Sequence, residues 1–486
     1  MSTFPALPDT PQAAEPTPDP GSRLAAKVAW VAVIVLMAIV VTLNQLPEKE
    51  PAKAGPAAAK AVEPPEVGDQ FALAAKFIVK LSHAWSIDAA SRQRFVASLD
   101  DSAQTDADKV RVAIVAANLI DPQAGIDRLD KIPDLTGPLA EDAQDVKASF
   151  ESDTPPSASV ENRLVEHHGW FGKLAATRTL PDTDPKRAAV LAGANRILLL
   201  LIAFTAVLFV GGLGGLVAFV WMLVLLGGGR IRPRFVAPAP GGSAFIETVP
   251  IFILAFLLLH LGLGLLAHAK SVNGEPPDWL MPFQLCAQWS LIVIPLWPLV
   301  RGMKWTDFRT RLGWHSGQGV FREIGAGIAA YFASLPLLVV MAAITIAIMM
   351  VKAAIYERMH PGKHAAPPSN HIAELIGNGS PAVLVLLFVL ATLWAPIVEE
   401  AIFRGSMYRQ LRSRLGMLAA AVLSALTFGL MHGYPLLLLG PVICLGFVFA
   451  LMREWRGSLI PSMTAHFLHN ATVLSLAILA LSAVRN

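Results

Sequence analysis

The sequence predicts an all-α fold: a polytopic bundle of about eight or nine membrane-spanning helices, with a small extramembrane helical domain after the first span. Three observations carry this. The 486 residues are 54% hydrophobic and only 15% charged, and the mean hydropathy of +0.53 is too high for an ordinary soluble protein. Apolar runs of membrane length recur from residue 28 onward. Between the first and second of them, residues 67–190 show frequent charge and helical periodicity instead. The net charge of +3 is close to balance, so no nucleic-acid partner is expected. The two cysteines, Cys286 and Cys444, lie in apolar runs and read as buried small hydrophobes, not a disulfide.

Residues 1–22 are rich in Pro, Ala, Thr and Asp, and the tail 1–27 reads as disordered up to the first apolar run. Val28–Leu43, within a segment 28–46, reads as a membrane anchor; its long polar lead favours retention over cleavage as a secretion signal. Either way the following segment is exported. Residues 47–66 are a Pro/Ala linker. In 67–190, the stretches FALAAKFIVKLSHAW and DKVRVAIVAANLI repeat apolar residues three and four apart, which predicts a helical domain of stacked hairpins. That exported domain is a candidate for an extracytoplasmic protein partner. His167 and His168 point in different directions on a helix, which argues against a shared metal.

Spans follow at Ile197–Leu226, Phe245–His268, Phe283–Leu299, Ile324–Val351, Ala382–Val398 and beyond, Met417–Met431, Leu436–Met452 and Leu459–Leu481. Gly211 to Gly215 carries a small-xxx-small pattern that permits close helix contact. Every second loop is basic: Arg230, Arg232 and Arg234; then Arg301, Lys304, Arg309 and Arg311; then Arg404, Arg409, Arg412 and Arg414; then Arg453 and Arg456. By the positive-inside rule the N-terminus and these loops are cytoplasmic, and residues 47–190 are outside. The expected location is a bacterial inner membrane.

Within this apolar chain, Glu399-Glu400 is followed by Arg404. An acid in a spanning segment costs roughly +2.5 to +3.5 kcal/mol on insertion scales, so two adjacent acids need a wet, working cavity. Glu400 and Arg404 are four apart, share a helix face and can pair. Glu399 lies about 100° around the helix and stays unpaired, placed for general-base work in a low dielectric. Phe428 with His432, and His466 with Asn470, are further pairs four apart. A carboxylate with a histidine can activate water, and a histidine with an asparagine can hydrogen-bond an oxyanion. No G-x-S-x-G elbow is present and no cysteine joins the cluster, so activated water is the natural nucleophile. Glu399, His432 and His466 could alternatively form a three-ligand zinc site with an open position. The residues leave a metal-free mechanism and a divalent metal such as zinc both open. His469 is an extra candidate.

The pattern E-E-x-x-x-R, F-x-x-x-H, H-x-x-x-N resembles the CPBP family of intramembrane endopeptidases, which includes type II CAAX-prenyl proteases and bacteriocin-maturation or immunity proteins. The resemblance covers residues 320–482, a CPBP-like catalytic core, with the spans of 197–312 before it. It implies hydrolysis of a peptide bond in a membrane-associated peptide or protein. Glu399 would work with His432 on the water, and His466 with Asn470 would steady the oxyanion. Glu400, Arg404 and Phe428 would support them. The competing class is a non-catalytic transporter, immunity or scaffold protein that uses the buried acids for proton or ligand coupling. A Glu399–His432 partnership further requires the acid-bearing helix to run past Arg404 to about Arg412, or the Met417 helix to be short or steeply tilted.

Overall fold

The structure, a computed structural model, describes residues 17–45, 62–65, 69–271, 276–360, 375–376 and 379–485. Regular structure among the described residues is helical, apart from one β-bridge between Pro18 and Ala239. Among the described residues, eight helices are long and apolar enough to cross a membrane: Arg23–Asn44, Pro185–Gly227, Ala244–Lys270, Leu280–Val300, Val320–Met359, Pro381–Arg412, Leu436–Arg456 and Ile460–Ser482. The chain is a multi-pass membrane protein. The expected span Met417–Met431 is instead a 14-residue helix, Met417–Leu430. At 1.5 Å per residue it is about 21 Å long, short of the ~30 Å hydrocarbon core.

Two compact units divide the chain. The first comprises Met1–Leu46, Leu213–Ile346 and Val385–Ala471. Its acid-bearing helix runs unbroken over Pro381–Arg412, which puts Glu399 near mid-span. Both conditions for bringing Glu399 to His432 are thus met: a long acid helix and a short one after it. The short helix packs closely on Leu439–Arg456 because both surfaces are small. A Cβ on Gly446 would sit 3.1 Å from Ala425 Cα and 3.0 Å from the Phe428 ring. Of the glycines at 211–215, Gly215 alone makes the anticipated close approach, to the Phe332 carbonyl, while Gly211, Gly212 and Gly214 face open space.

Leu280–Val300 is interrupted by a 3-10 stretch, Gln288–Leu296, containing Pro295, with Pro298 just after it. Each proline removes a helix donor. Cys286 is exposed and Cys444 half-buried, and neither is in a disulfide. This corrects the reading of both as buried: an apolar run in a membrane helix faces lipid as readily as protein, so hydropathy does not report burial.

The tail reading also changes. Residues 1–16 lie outside the described residues, but Thr17–Ser22 is tied down. Asp19 is 5% exposed and accepts hydrogen bonds from Arg409 Nε (2.8 Å), Arg409 Nη2 (2.9 Å) and Arg311 Nη1 (2.8 Å). A Pro- and Asp-rich sequence looks unstructured by composition, yet one acid facing two guanidiniums is enough to order it. The first helix accordingly begins at Arg23.

The second unit comprises Pro47–Gly212, Ala347–Leu384 and Thr472–Asn486. The expected linker at 47–66 falls almost wholly outside the described residues. The helices from Gln70–Ala84 to Pro185–Val190 enclose one apolar core that runs from Ala72 to Leu191. Six of these eight helices start on a side-chain cap: Asp69, Asp88, Thr105, Asp121, Ser157 and Asp184 each accept from a backbone N–H of the first turn. His167 and His168, expected to diverge, both reach Asp142 Oδ2, at 2.7 Å and 3.2 Å, while Arg163 Nε donates to Oδ1 at 3.1 Å. They meet because the helix Ala158–His168 ends there, so the two rings close around one acid from adjacent positions.

This cluster makes the helical domain acid-labile. Burial pushes the His168 imidazole below its ordinary value, with Asp142 pulling weakly the other way. Burial would raise Asp142, but hydrogen bonds from His168 and His167 outweigh it and hold the carboxyl below its ordinary range. In both cases the unfolded chain binds the proton first, so the stability is present above the unfolded values and lost as pH falls. His168 acts below pH 6.5 and Asp142 below 3.8. Hydrogen exchange in the helices Pro138–Ser152 and Ala158–His168, corrected for intrinsic rates, is expected to accelerate from about pH 7 to about pH 5. Protection that held or rose over that range would contradict this account.

Candidate active site

The site is built on the helix Pro381–Arg412, which twice widens into a π-helical turn: at Leu390–Trp394 and at Glu400–Met407. Such turns recur at functional sites because they free a carbonyl and rotate the side chains that follow. The first has a readable cause. Ala395 N–H donates to Leu390 O, five residues back. In that register the donor for Ala391 O would be residue 396, which is proline and has no N–H. Asn470 supplies it: Nδ2 donates to Ala391 O at 2.7 Å. At the second turn, Ser424 Oγ donates to Phe403 O at 3.1 Å. Two neighbouring helices thereby fix the register that carries Glu399 and Glu400.

Glu400 and Arg404 pair as the four-residue spacing predicts. Both are fully buried, and Arg404 Nη1 donates to Glu400 Oε1 at 2.9 Å. Arg404 Nη2 donates to Gly446 O at 3.1 Å, and the guanidinium lies 4.1 Å from the Phe428 ring centroid and 5.1 Å from that of Phe449. Phe428 supports the site from its centre: its ring is also 4.6 Å from the His432 ring and 6.0 Å from the His466 ring.

His466 stands between the two acids. Its Nδ1 is 3.2 Å from Glu400 Oε1, and its Nε2 is 3.9 Å from Glu399 Oε2. The shorter contact places the proton on Nδ1 and leaves Nε2 turned to Glu399. The longer gap exceeds a direct hydrogen bond. Glu399 is 18% exposed at its side chain, whereas Glu400 is sealed. Glu399 Oε2 is buried with no hydrogen-bond partner among the described residues. His432 lies in the turn just beyond Met417–Leu430, and its Nδ1 contacts Phe428 O at 2.8 Å. That contact fixes the ring with Nε2 free. His432, Tyr434 and Arg404 are all within electrostatic reach of the Glu399 carboxylate.

Six of the seven residues picked out in the sequence therefore share one site, with Asn470 at its edge. The expected oxyanion pair of His466 and Asn470 is not what the geometry displays. His466 faces the carboxylates, and one Asn470 N–H is committed to Ala391 because a buried carbonyl opposite a proline must find a donor. His469 packs edge-on to Tyr331, ring centroids 6.2 Å apart. Sequence reasoning missed Tyr434 and Trp394. The Trp394 side chain is 1% exposed, and its Nε1 has no partner among the described residues. Pro396, three residues before Glu399, was the available signal that an orphan carbonyl and a side-chain donor would lie nearby.

No three His, Cys, Asp or Glu side chains among the described residues are grouped so as to hold a metal ion, Glu399, His432 and His466 included. These residues do not fit zinc as placed, and no step below passes through a metal.

Residues 381–472 match the family model described as type II CAAX prenyl endopeptidase Rce1-like. The match begins where the acid helix begins and contains every residue of the site. It is narrower than the 320–482 of the motif resemblance, and it agrees with the CPBP family. No curated protein and no solved structure matches the chain.

Two outcomes test this geometry. Glu400→Gln leaves the buried Arg404 uncompensated and is expected to destabilise the fold by about 3–5 kcal/mol; unchanged thermal stability in detergent would refute the pairing. Asn470→Leu orphans the Ala391 carbonyl, a loss of about 1–3 kcal/mol. Adding Pro396→Ala restores a backbone donor in the π register and should recover much of that stability. A double variant no better than Asn470→Leu alone would remove the proposed reason for Asn470.

Proposed function

Taking the Rce1-like domain at residues 381–472 as the premise, we propose that the protein is an intramembrane endopeptidase that hydrolyses a peptide bond of a membrane-associated peptide or protein. The observation that carries this reading is the 3.9 Å gap between Glu399 Oε2 and His466 Nε2. There one unpartnered carboxylate oxygen faces one imidazole nitrogen across a gap too long for a direct hydrogen bond. Glu399 is the general base: it takes a proton from the water as the water attacks the scissile carbonyl. Glu399, now protonated, gives that proton to the leaving amine as the C–N bond breaks, while His466, oriented by Glu400 and Arg404, holds the water at Nε2. His432, whose Nδ1–H is committed to Phe428 O, leaves Nε2 as an acceptor that helps Glu399 position the attacking water. The remaining Asn470 N–H is the donor for the developing oxyanion.

The basic loops lie on the cytoplasmic side in this reading, by the alternation of Arg and Lys between spans. The helical domain of residues 69–191 is then extracytoplasmic, where it binds a protein partner.

A proton- or ligand-coupled transporter would also use buried acids and histidines. The Asn470–Ala391 bond weakens the argument that the His-x-x-x-Asn pair marks acyl chemistry, so hydrolysis is preferred on the Glu399–His466 gap taken together with the family domain. Comparing membrane peptides from cells that carry wild-type or Glu399→Gln protein separates the two. Glu399→Gln and His432→Ala are each expected to lower cleavage by about 10²–10⁴-fold with folding and insertion unchanged. A folded Glu399→Gln protein that still cleaved at the wild-type rate would end the peptidase reading.

A further inference from the structure

A second charged site lies in the same compact unit, away from the acids. Arg409 is ten residues past Glu399 on one helix, roughly 15 Å further along at 1.5 Å per residue. There a cavity of about 390 Å³ is lined by Arg234, Arg311, Arg409, Arg453, Arg456 and His315, among others, and by no acidic residue. Two carboxylates stand behind this lining. Asp19 pairs with Arg311 and Arg409, and Glu323 accepts from Arg456 Nε (2.8 Å) and Nη2 (2.7 Å). Arg234 and Arg453 have no ion pair among the described residues.

Arg453 is the informative member. It is 1% exposed, and its guanidinium is held by Arg311 O at 3.1 Å from Nη2 and by the Phe235 ring at 4.9 Å. Its Nε and Nη1 are buried with no partner among the described residues. A buried guanidinium with two unused donor nitrogens, three N–H groups in all, is costly unless something accepts them. The surroundings bring it to the cavity wall: Gly313 takes φ +101° and leaves the space that Arg453 occupies, where a Cβ would lie 2.6 Å from the guanidinium. His315 is not an acceptor for Arg453, since its Nε2 contacts Gly457 O at 3.0 Å and its Nδ1 accepts from Gly317 N–H at 3.1 Å. Arg234 is exposed, at the mouth.

We propose that this arginine-lined cavity binds an anionic phosphate group, with Arg453 Nε and Nη1 donating to its oxygens from the wall and Arg234 closing over it from the mouth. Phosphate fits because several guanidiniums approach from different directions, as its tetrahedral oxygens require, and because the volume exceeds what a lone carboxylate fills. The cavity sits among the basic residues that terminate membrane helices, where a lipid headgroup and a free phosphate are both within reach.

The test uses the purified full-length chain. Inorganic phosphate is titrated at constant ionic strength with chloride as control, and lipid retention is measured by native mass spectrometry after exchange into phosphatidylcholine vesicles with or without phosphatidylglycerol. Wild-type protein should bind at least one of the two probes. Arg453→Lys keeps the charge but loses the planar pair of donors and should weaken binding about tenfold. Arg234→Glu reverses a charge at an exposed position, where folding is not at risk, and should weaken it by a similar factor or more. Binding of phosphatidylglycerol alone assigns a lipid headgroup, and binding of inorganic phosphate alone assigns a soluble ligand; both support the site. If folded wild-type protein bound neither probe, or bound them as tightly as folded Arg234→Glu does, the proposal would be overturned.

Discussion

The buried Glu400–Arg404 pair is the constraint around which the rest of this domain is arranged. Two opposite charges with no exposed surface need more than each other, because desolvation offsets much of their attraction. The remaining partners come from three other helices. Gly446 offers a carbonyl, Phe428 and Phe449 offer ring faces, and His466 offers an N–H to the same oxygen that Arg404 holds. Each satisfies a charge and in doing so sets the position of its helix. Gly446 shows the coupling most directly. Its missing side chain lets Leu439–Arg456 approach the short helix, and that approach brings its carbonyl to Arg404.

With one acid fixed, the other is left over, and the proposed chemistry draws on that asymmetry. Glu399 and Glu400 are adjacent in sequence but occupy different environments: Glu400 is sealed and paired through Oε1, Glu399 is partly open and has no arginine partner, and each keeps an Oε2 without a hydrogen bond among the described residues. His466 reads both. Its Nδ1 side is tied to the structural acid and its Nε2 side is presented to the free one. The π-helical turns on either side of Glu399 make this placement rigid, since each is locked by a hydrogen bond from a neighbouring helix. Asn470 is therefore best understood first as the group that holds the acid helix in register.

The same electrostatic logic operates at the basic end of the bundle, where it remains incomplete. Glu454 is met by Tyr408 at 2.7 Å and by Arg412 at 2.9 Å, Glu323 by Arg456, and Asp19 by Arg311 and Arg409. Each buried acid there has its cation or phenol. Arg453, equally buried, has a carbonyl and a ring but no acid. Among the described residues Arg453 alone of the buried arginines leaves two nitrogens without a partner, and that makes it the place to look for a ligand.

Much of the molecule was legible from residue order alone. Apolar runs of bilayer length announced the spanning helices, and the four-residue spacing announced the Glu400–Arg404 pair, because both depend only on helix geometry and on the cost of charge in hydrocarbon. The same spacing singled out His432, His466 and Asn470 before any contact was known. Tertiary structure decided what those spacings could not. Asn470 turned to Ala391 because Pro396 left a carbonyl without a donor in a π register that no periodicity reveals. Asp19 became ordered because Arg311 and Arg409 happened to face it from far along the chain. His167 and His168 closed on one acid because their helix ended beneath them. Local sequence sets which faces a helix presents; only packing determines which groups from distant segments meet there, and a buried polar atom takes whichever partner that packing supplies.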